Sequence, residues 1–113
     1  MQNNEIIRQL IDKKIVTISP DKDFVYASGM HSPIYTDLRQ TISFPELRQA
    51  IAENLAALIK QEFPEITVIG GVATAGIPHA AWVAQVMNLP MVYVRSKPKD
   101  HGQGRQIEGH LSM

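Results

Sequence analysis

The chain has 113 residues, 44% of them hydrophobic, with 11 Lys and Arg against 11 Asp and Glu and no cysteine. That length is one domain or part of one, with room for a modest core. A formal net charge of zero gives no global pull toward nucleic acid or a membrane surface, and the lack of Cys excludes a disulfide framework and thiolate chemistry. The opening Met1-Gln2-Asn3-Asn4-Glu5 lacks the basic flank and apolar core of a signal peptide, and a cytoplasmic location is expected.

In chain order, Asn3 or Asn4 is placed to cap a first helix reaching about Lys14, with Ile6, Ile7, Leu10 and Ile11 as its apolar stripe. Ser19-Pro20-Asp21 is turn chemistry. Phe24 to Tyr26 and Ile34 to Asp37 are expected as two short strands around a Ser28-Gly29 turn. Ser43-Phe44-Pro45-Glu46 is a helix start: a Ser cap, Pro in the first turn, and Glu three residues after the Ser. The helix it opens places Leu47, Ile51, Leu55, Leu58 and Ile59 on one face and stops near Phe63-Pro64.

From Ile66 to Val94 there is no Asp, Glu, Lys or Arg, a run long enough to span a bilayer. Gly70-Gly71, Gly76, Pro78, His79, Gln85, Asn88 and Pro90 interrupt it, so it reads as the buried centre of an α/β sheet. Ile66 to Gly70 is expected as a strand and Gly76 to Met87 as a helix with Ile77, Ala80, Ala81, Ala84 and Met87 inward. Met91 to Val94 is the next strand. Strand, helix and strand at this spacing predict a right-handed βαβ unit. There is no internal repeat and no low-complexity linker.

The segment Arg95-Ser96-Lys97-Pro98-Lys99-Asp100-His101-Gly102-Gln103-Gly104-Arg105 concentrates four of the 11 Lys and Arg residues in one place. Composition alone describes a solvated loop. The order of residues says more: Arg-x-x-x-Lys-Asp-His-Gly-x-Gly resembles the catalytic loop of orotate phosphoribosyltransferases. Phe24 to Arg39, with Ser28-Gly29 and Ser32-Pro33-Ile34-Tyr35, resembles that family's orotate-side motif. Gly71-Val72-Ala73-Thr74-Ala75-Gly76-Ile77-Pro78 resembles its pyrophosphate-side turn. The three stand in family order.

The resemblance implies an α/β fold of the type I phosphoribosyltransferase kind, a parallel sheet flanked by helices with a small N-terminal hood. The hood would be about residues 1–40, and about 41–113 would be the first part of the α/β core with a mobile loop at 95–109. It implies transfer of phosphoribosyl from phosphoribosyl pyrophosphate (PRPP) to orotate in de novo pyrimidine synthesis, with Mg²⁺ bound with PRPP. It also implies a homodimer whose loop is shared across subunits. By the family pattern Arg95, Lys99 and His101 contact the PRPP phosphates, with Lys99 the foremost catalytic residue. Thr74, Ala75 and Gly76 touch pyrophosphate, and Ser28, Gly29 and Tyr35 stand on the orotate side. Two positions depart from the pattern. Ala75 stands where many members carry Lys, leaving backbone or the Thr74 hydroxyl to meet pyrophosphate. Ala27 stands where one branch carries an orotate-contacting Lys.

The family's acidic pair and Thr/Gly-rich ribose-phosphate loop have no counterpart in the chain, so a truncated N-terminal part, inactive alone, is expected. A purine phosphoribosyltransferase or PRPP-binding regulator of the same fold fits the Ser-Gly-x-x-Ser-Pro segment poorly. A module gripping RNA or another polyanion fits the neutral charge poorly. A non-functional product remains the third alternative. His31, His79 and His110 show no metal-ligand spacing, and Trp82 reads as core or interface.

Overall fold

The computed structural model describes residues 1–95 and 106–111. By its internal contacts the chain forms two compact units, Met1–Leu47 and Arg48–Met113.

In the first unit, α1 (Asn3–Asp12) starts one residue earlier than the Asn caps predict. Gln2 is the cap residue, in extended backbone, and no side chain caps the helix. The other end is closed by the backbone. Lys14 takes a left-handed φ of 60°. Its N–H donates to the Ile11 carbonyl at 3.0 Å, and the Ile15 N–H donates to the Leu10 carbonyl at 2.9 Å. These are the two bonds of a Schellman closure. They turn the chain so that Ile15 becomes fully buried, and β1 (Val16–Ile18) follows at once.

The expected pairing of Phe24–Tyr26 with Ile34–Asp37 is not what forms. β2 (Phe24–Val25) pairs antiparallel with β3 (His31–Ser32), and β4 (Ile34–Thr36) pairs antiparallel with β1. The turn explains the split. The Tyr26 N–H donates to the Met30 carbonyl and the Gly29 N–H to the Tyr26 carbonyl, which sets residues 24–25 opposite 31–32. Pro33 then ends that ladder because it has no N–H to donate. Its carbonyl accepts from the Ser19 N–H at 2.7 Å instead. A 3-10 helix, Leu38–Ser43, follows, and its Thr41 is fully buried.

The helix α2 (Pro45–Glu62) begins at the expected Pro, whose missing N–H costs nothing at a first helical position. It stops just ahead of Phe63, the residue before Pro64, where the helical region is disfavoured. Its buried side follows the predicted row in part: Leu47 is buried, Ile51 and Ile59 are half-buried, and alanines supply the rest. Leu47, Ala50, Ala52 and Ala56 are buried, whereas Leu55 and Leu58 are exposed. Ala52 and Ala56 reach the same buried cluster as residues of β5 and α3, and Ile59 packs against it.

The second unit carries a three-stranded sheet in the order β5-β6-β7. β5 (Ile69–Val72) runs parallel to β6 (Met91–Val94), and β7 (Ile107–Glu108) runs antiparallel to β6. Between β5 and β6 lies α3 (Gly76–Met87), at the predicted bounds. β5 runs Ile69–Val72 rather than Ile66 to Gly70, so Gly71 and Val72 belong to the strand and not to the turn. Ala52, Ala56, Ile69, Ala80, Val83 and Ala84 form the core cluster. Val83 joins it in addition to the expected Ala80 and Ala84, and Met87 packs against it half-buried. β7 falls inside the segment expected as loop through 109, which therefore ends in a paired strand. Among the described residues, no helix is long and apolar enough to cross a membrane.

Candidate functional site

The sequence of the second unit dictates where an anion would settle. In a parallel pair the strand ends that carry loops lie side by side, and open α/β sheets bind ligands at those carboxyl ends. Val72 ends β5 and sits in register with Val94, which ends β6. The Ala73 N–H donates to the Val94 carbonyl at 2.8 Å, carrying the pairing one residue further. Thr74 and Ala75 therefore emerge from one strand beside Arg95, which emerges from the next. The Ala73–Thr74 peptide bond is cis.

Thr74 and Ala75 are exposed, and Gly76 opens α3. Ala75 occupies the cap position, and no side chain caps the helix. A helix start without a side-chain acceptor presents backbone N–H groups and the positive end of the dipole to an incoming anion. The glycine at 71 makes the arrangement possible: it lies beneath the turn, where a Cβ would stand 2.9 Å from the Gly76 carbonyl oxygen.

Arg95 is anchored at the mouth of the hairpin formed by β6 and β7. Its N–H donates to the Gln106 carbonyl at 2.7 Å, and Gln106 Nε2 donates back to the Arg95 carbonyl at 3.1 Å. Its guanidinium Nε donates to Glu108 Oε1 at 3.2 Å. Glu108 escaped the sequence reading. The signal for it was the register of the Ile107-Glu108 pair across from Tyr93-Val94, which only the strand pairing reveals. Lys99 and His101 lie outside the described residues.

The orotate-side candidates gather in the first unit. Ser28 and Gly29 form the tip of the β2–β3 turn, where Gly29 takes φ 86° and the Ser28 hydroxyl accepts from the Met30 N–H at 3.4 Å. The Tyr35 ring lies 5.6 Å from that of Phe24 and 6.4 Å from that of Tyr26, centroid to centroid. The Tyr26 hydroxyl donates to the Ile34 carbonyl. Tyr35 remains 42% exposed, so it is both packed and available as a flat wall for an aromatic ligand. Below it, Arg39 Nε donates to Asp37 Oδ1 at 3.0 Å. That bond, helped by one from Gln40, holds the Asp37 carboxyl below the usual carboxylate range.

A groove of about 450 Å³ lined by Ala56, Lys60, Phe63, Ile66 and Met87 sits at the C-terminal end of α3. A helix of 12 residues is about 18 Å long, so the groove is remote from the turn at 74–76. Trp82 stacks edge-on with His79 at 5.4 Å and lies under the Arg48 guanidinium at 4.7 Å.

Comparison with known proteins agrees with this architecture. No family model matches the chain. Orotate phosphoribosyltransferase of Lactobacillus johnsonii is 68% identical over 112 residues, which cover 99% of this chain and 53% of the relative. Among solved structures, Leishmania donovani UMP synthase superposes with a TM-score of 0.72 at 28% identity, covering 96% of this chain and 22% of that one. Orotate phosphoribosyltransferase from Aeropyrum pernix gives 0.68 at 29% identity, covering 91% of this chain and 55% of that one. The parallel β5–α3–β6 unit with its flanking antiparallel strand shares the fold of the type I phosphoribosyltransferases. The chain's similarity is to the N-terminal part of the orotate phosphoribosyltransferases. It spans about half the length of the curated relatives it matches.

Proposed function

We propose that the protein carrying this chain transfers phosphoribosyl from PRPP to orotate, giving orotidine 5′-monophosphate and pyrophosphate, in de novo pyrimidine synthesis. The observation that carries the reading is the juxtaposition of the uncapped turn at 74–76 with Arg95, at the neighbouring ends of two parallel strands. The choice of orotate rests on the names of the relatives and on the aromatic wall at Tyr35.

In this reaction a bond forms between the orotate ring nitrogen and the anomeric carbon as the bond from that carbon to pyrophosphate breaks. Negative charge grows on the leaving oxygens, so fixed donors and cations aimed there lower the barrier. A charge pair about 4 Å apart at an effective dielectric near 20 is worth roughly 4 kcal/mol before desolvation. The turn would supply backbone N–H groups and the Thr74 hydroxyl. Arg95 would supply a fixed cation at the strand end, and Lys99 and His101 would supply the charges that complete the shell. Ser28, Gly29 and Tyr35 would hold the orotate plane. Mg²⁺ is taken to enter with PRPP as part of the substrate. Such an ion keeps most of its ligands as water and phosphate oxygens. The active form would be a cytoplasmic homodimer with the 95–109 segment shared between subunits.

The test is orotate consumption by the protein at the full length of its relatives, with PRPP and Mg²⁺. Turnover should be present and should fall by orders of magnitude in Lys99→Ala while the fold persists. Absence of turnover in the unmodified protein would sink the reading, and unchanged turnover in the variant would remove Lys99 from it.

A further inference from the structure

We propose that Glu108 is a positioning residue that aims Arg95 at phosphate. The inference rests on the phosphate-site reading given above.

Strand geometry puts these two side chains together. Glu108 is the cross-strand partner of Tyr93. Side chains alternate along a strand, so Arg95, two residues beyond Tyr93, shares its face and lies diagonal to Glu108. A long side chain bridges that diagonal, and the 3.2 Å bond between Arg95 Nε and Glu108 Oε1 is the outcome. Both partners are held by backbone. Arg95 is clamped by its two bonds with Gln106. Glu108 is followed by Gly109 at φ 110°, so close to β6 that a Cβ there would stand 3.0 Å from Val92 Cγ1 and 3.2 Å from the Met91 carbonyl oxygen. The carboxylate therefore cannot drift along the strand without breaking that approach.

The chemistry of the bond gives it a purpose. A guanidinium has five N–H donors, and this contact engages Nε. Holding the group by that edge restricts its rotation, while the terminal nitrogens are the pair that meets a phosphoryl group in bidentate fashion. An arginine already ordered loses less entropy on binding. A carboxylate beside a phosphate-binding cation also has a cost, because its charge opposes the incoming anion. That cost gives the proposal a signature. Glutamine keeps the acceptor oxygen and removes the charge, whereas alanine removes both.

The experiment compares Glu108→Gln and Glu108→Ala with the unmodified protein at full length. It measures the KM for PRPP, kcat, the dissociation constant for inorganic pyrophosphate, and the melting temperature. Losing a hydrogen bond to a charged partner predicts that Glu108→Ala raises the KM for PRPP and the pyrophosphate dissociation constant by about tenfold. Glu108→Gln should bind as tightly as the unmodified protein or more tightly, and the KM for orotate should move in neither. A purely structural role would lower the melting temperature of both variants without separating their anion affinities, and that result overturns the proposal. So does an alanine variant that binds pyrophosphate normally, or a glutamine variant as impaired as alanine. If the unmodified protein binds pyrophosphate but does not consume orotate, the orotate reading fails and the pyrophosphate constants alone decide the role of Glu108. If it binds no pyrophosphate, Arg95 has no phosphate to meet and the proposal falls.

Discussion

Gly71 and Ala80 meet so closely that a Cβ added to the glycine would stand 2.7 Å from the alanine Cβ. This contact seats the start of α3 against β5, and so sets the height of the turn at 74–76 above the sheet. Gly71→Ala has no flexible neighbour to push aside, since the other near atom is the Gly76 backbone carbonyl at 2.9 Å. Overpacking of this kind costs about 1–3 kcal/mol. The expected result is a lowered urea midpoint with an unchanged slope, followed through Trp82, the chain's one tryptophan. A midpoint equal to that of the unmodified chain would mean that the helix and strand are not packed as described.

Lys14 is the second backbone prediction. Its φ of 60° is one that side chains other than Gly and Asn adopt at a cost. Lys14→Gly should therefore stabilise the first unit by about 0.5–1 kcal/mol, despite the greater freedom of glycine in the unfolded chain. Lys14→Val should destabilise it by at least as much. Unfolding curves for the two variants check the sign, and a destabilising glycine would argue against the Schellman closure.

Helices that carry their own boundary chemistry were readable in advance. The bounds of α3 and β6, and the start of α2 at Pro45, follow from Gly76, Asn88-Leu89-Pro90 and Ser43-Phe44-Pro45-Glu46. The parallel strands were readable as charge-free runs. What failed was decided by partners distant in sequence. Phe24 could have joined Ile34 or Ser32, and only the Tyr26–Met30 turn bonds decide between them. Ala52 and Ala56, rather than Leu55 and Leu58, face the core from α2, which a hydrophobicity ranking does not register. For the same reason Thr74 and Arg95 were named as site residues from their order, whereas Glu108 emerged only with the register of β7.

His79 gives the pH prediction. Burial holds its pKa below the ordinary value of 6.5, so the folded chain keeps the ring neutral where the unfolded chain takes up a proton. The unfolded state then binds more protons below that value. His79 leaves stability undiminished above pH 6.5 and erodes it as pH falls from there through the lower folded pKa. His79→Phe keeps an aromatic edge for Trp82 and removes the proton. Unfolding free energies measured between pH 8 and pH 5 should decline less steeply for the variant. Parallel declines would exclude His79 as the source.

The Arg48 guanidinium over the Trp82 ring, 4.7 Å from its centroid, joins α2 to α3 on the outside of the core. An interaction of this type contributes about 0.5–1 kcal/mol where the cation is partly solvated. Arg48 covers apolar surface with its stem as well, so a single truncation would mix two effects. Arg48→Met keeps most of the stem and loses the charge, and Trp82→Phe keeps a ring with a weaker face. In a double-mutant cycle of the two, unfolding followed by circular dichroism should give a coupling of about 0.5 kcal/mol or more. The coupling should survive high salt better than a surface ion pair would, because a ring quadrupole replaces the second charge. Additive losses would mean that the cation rests on the ring without stabilising the fold.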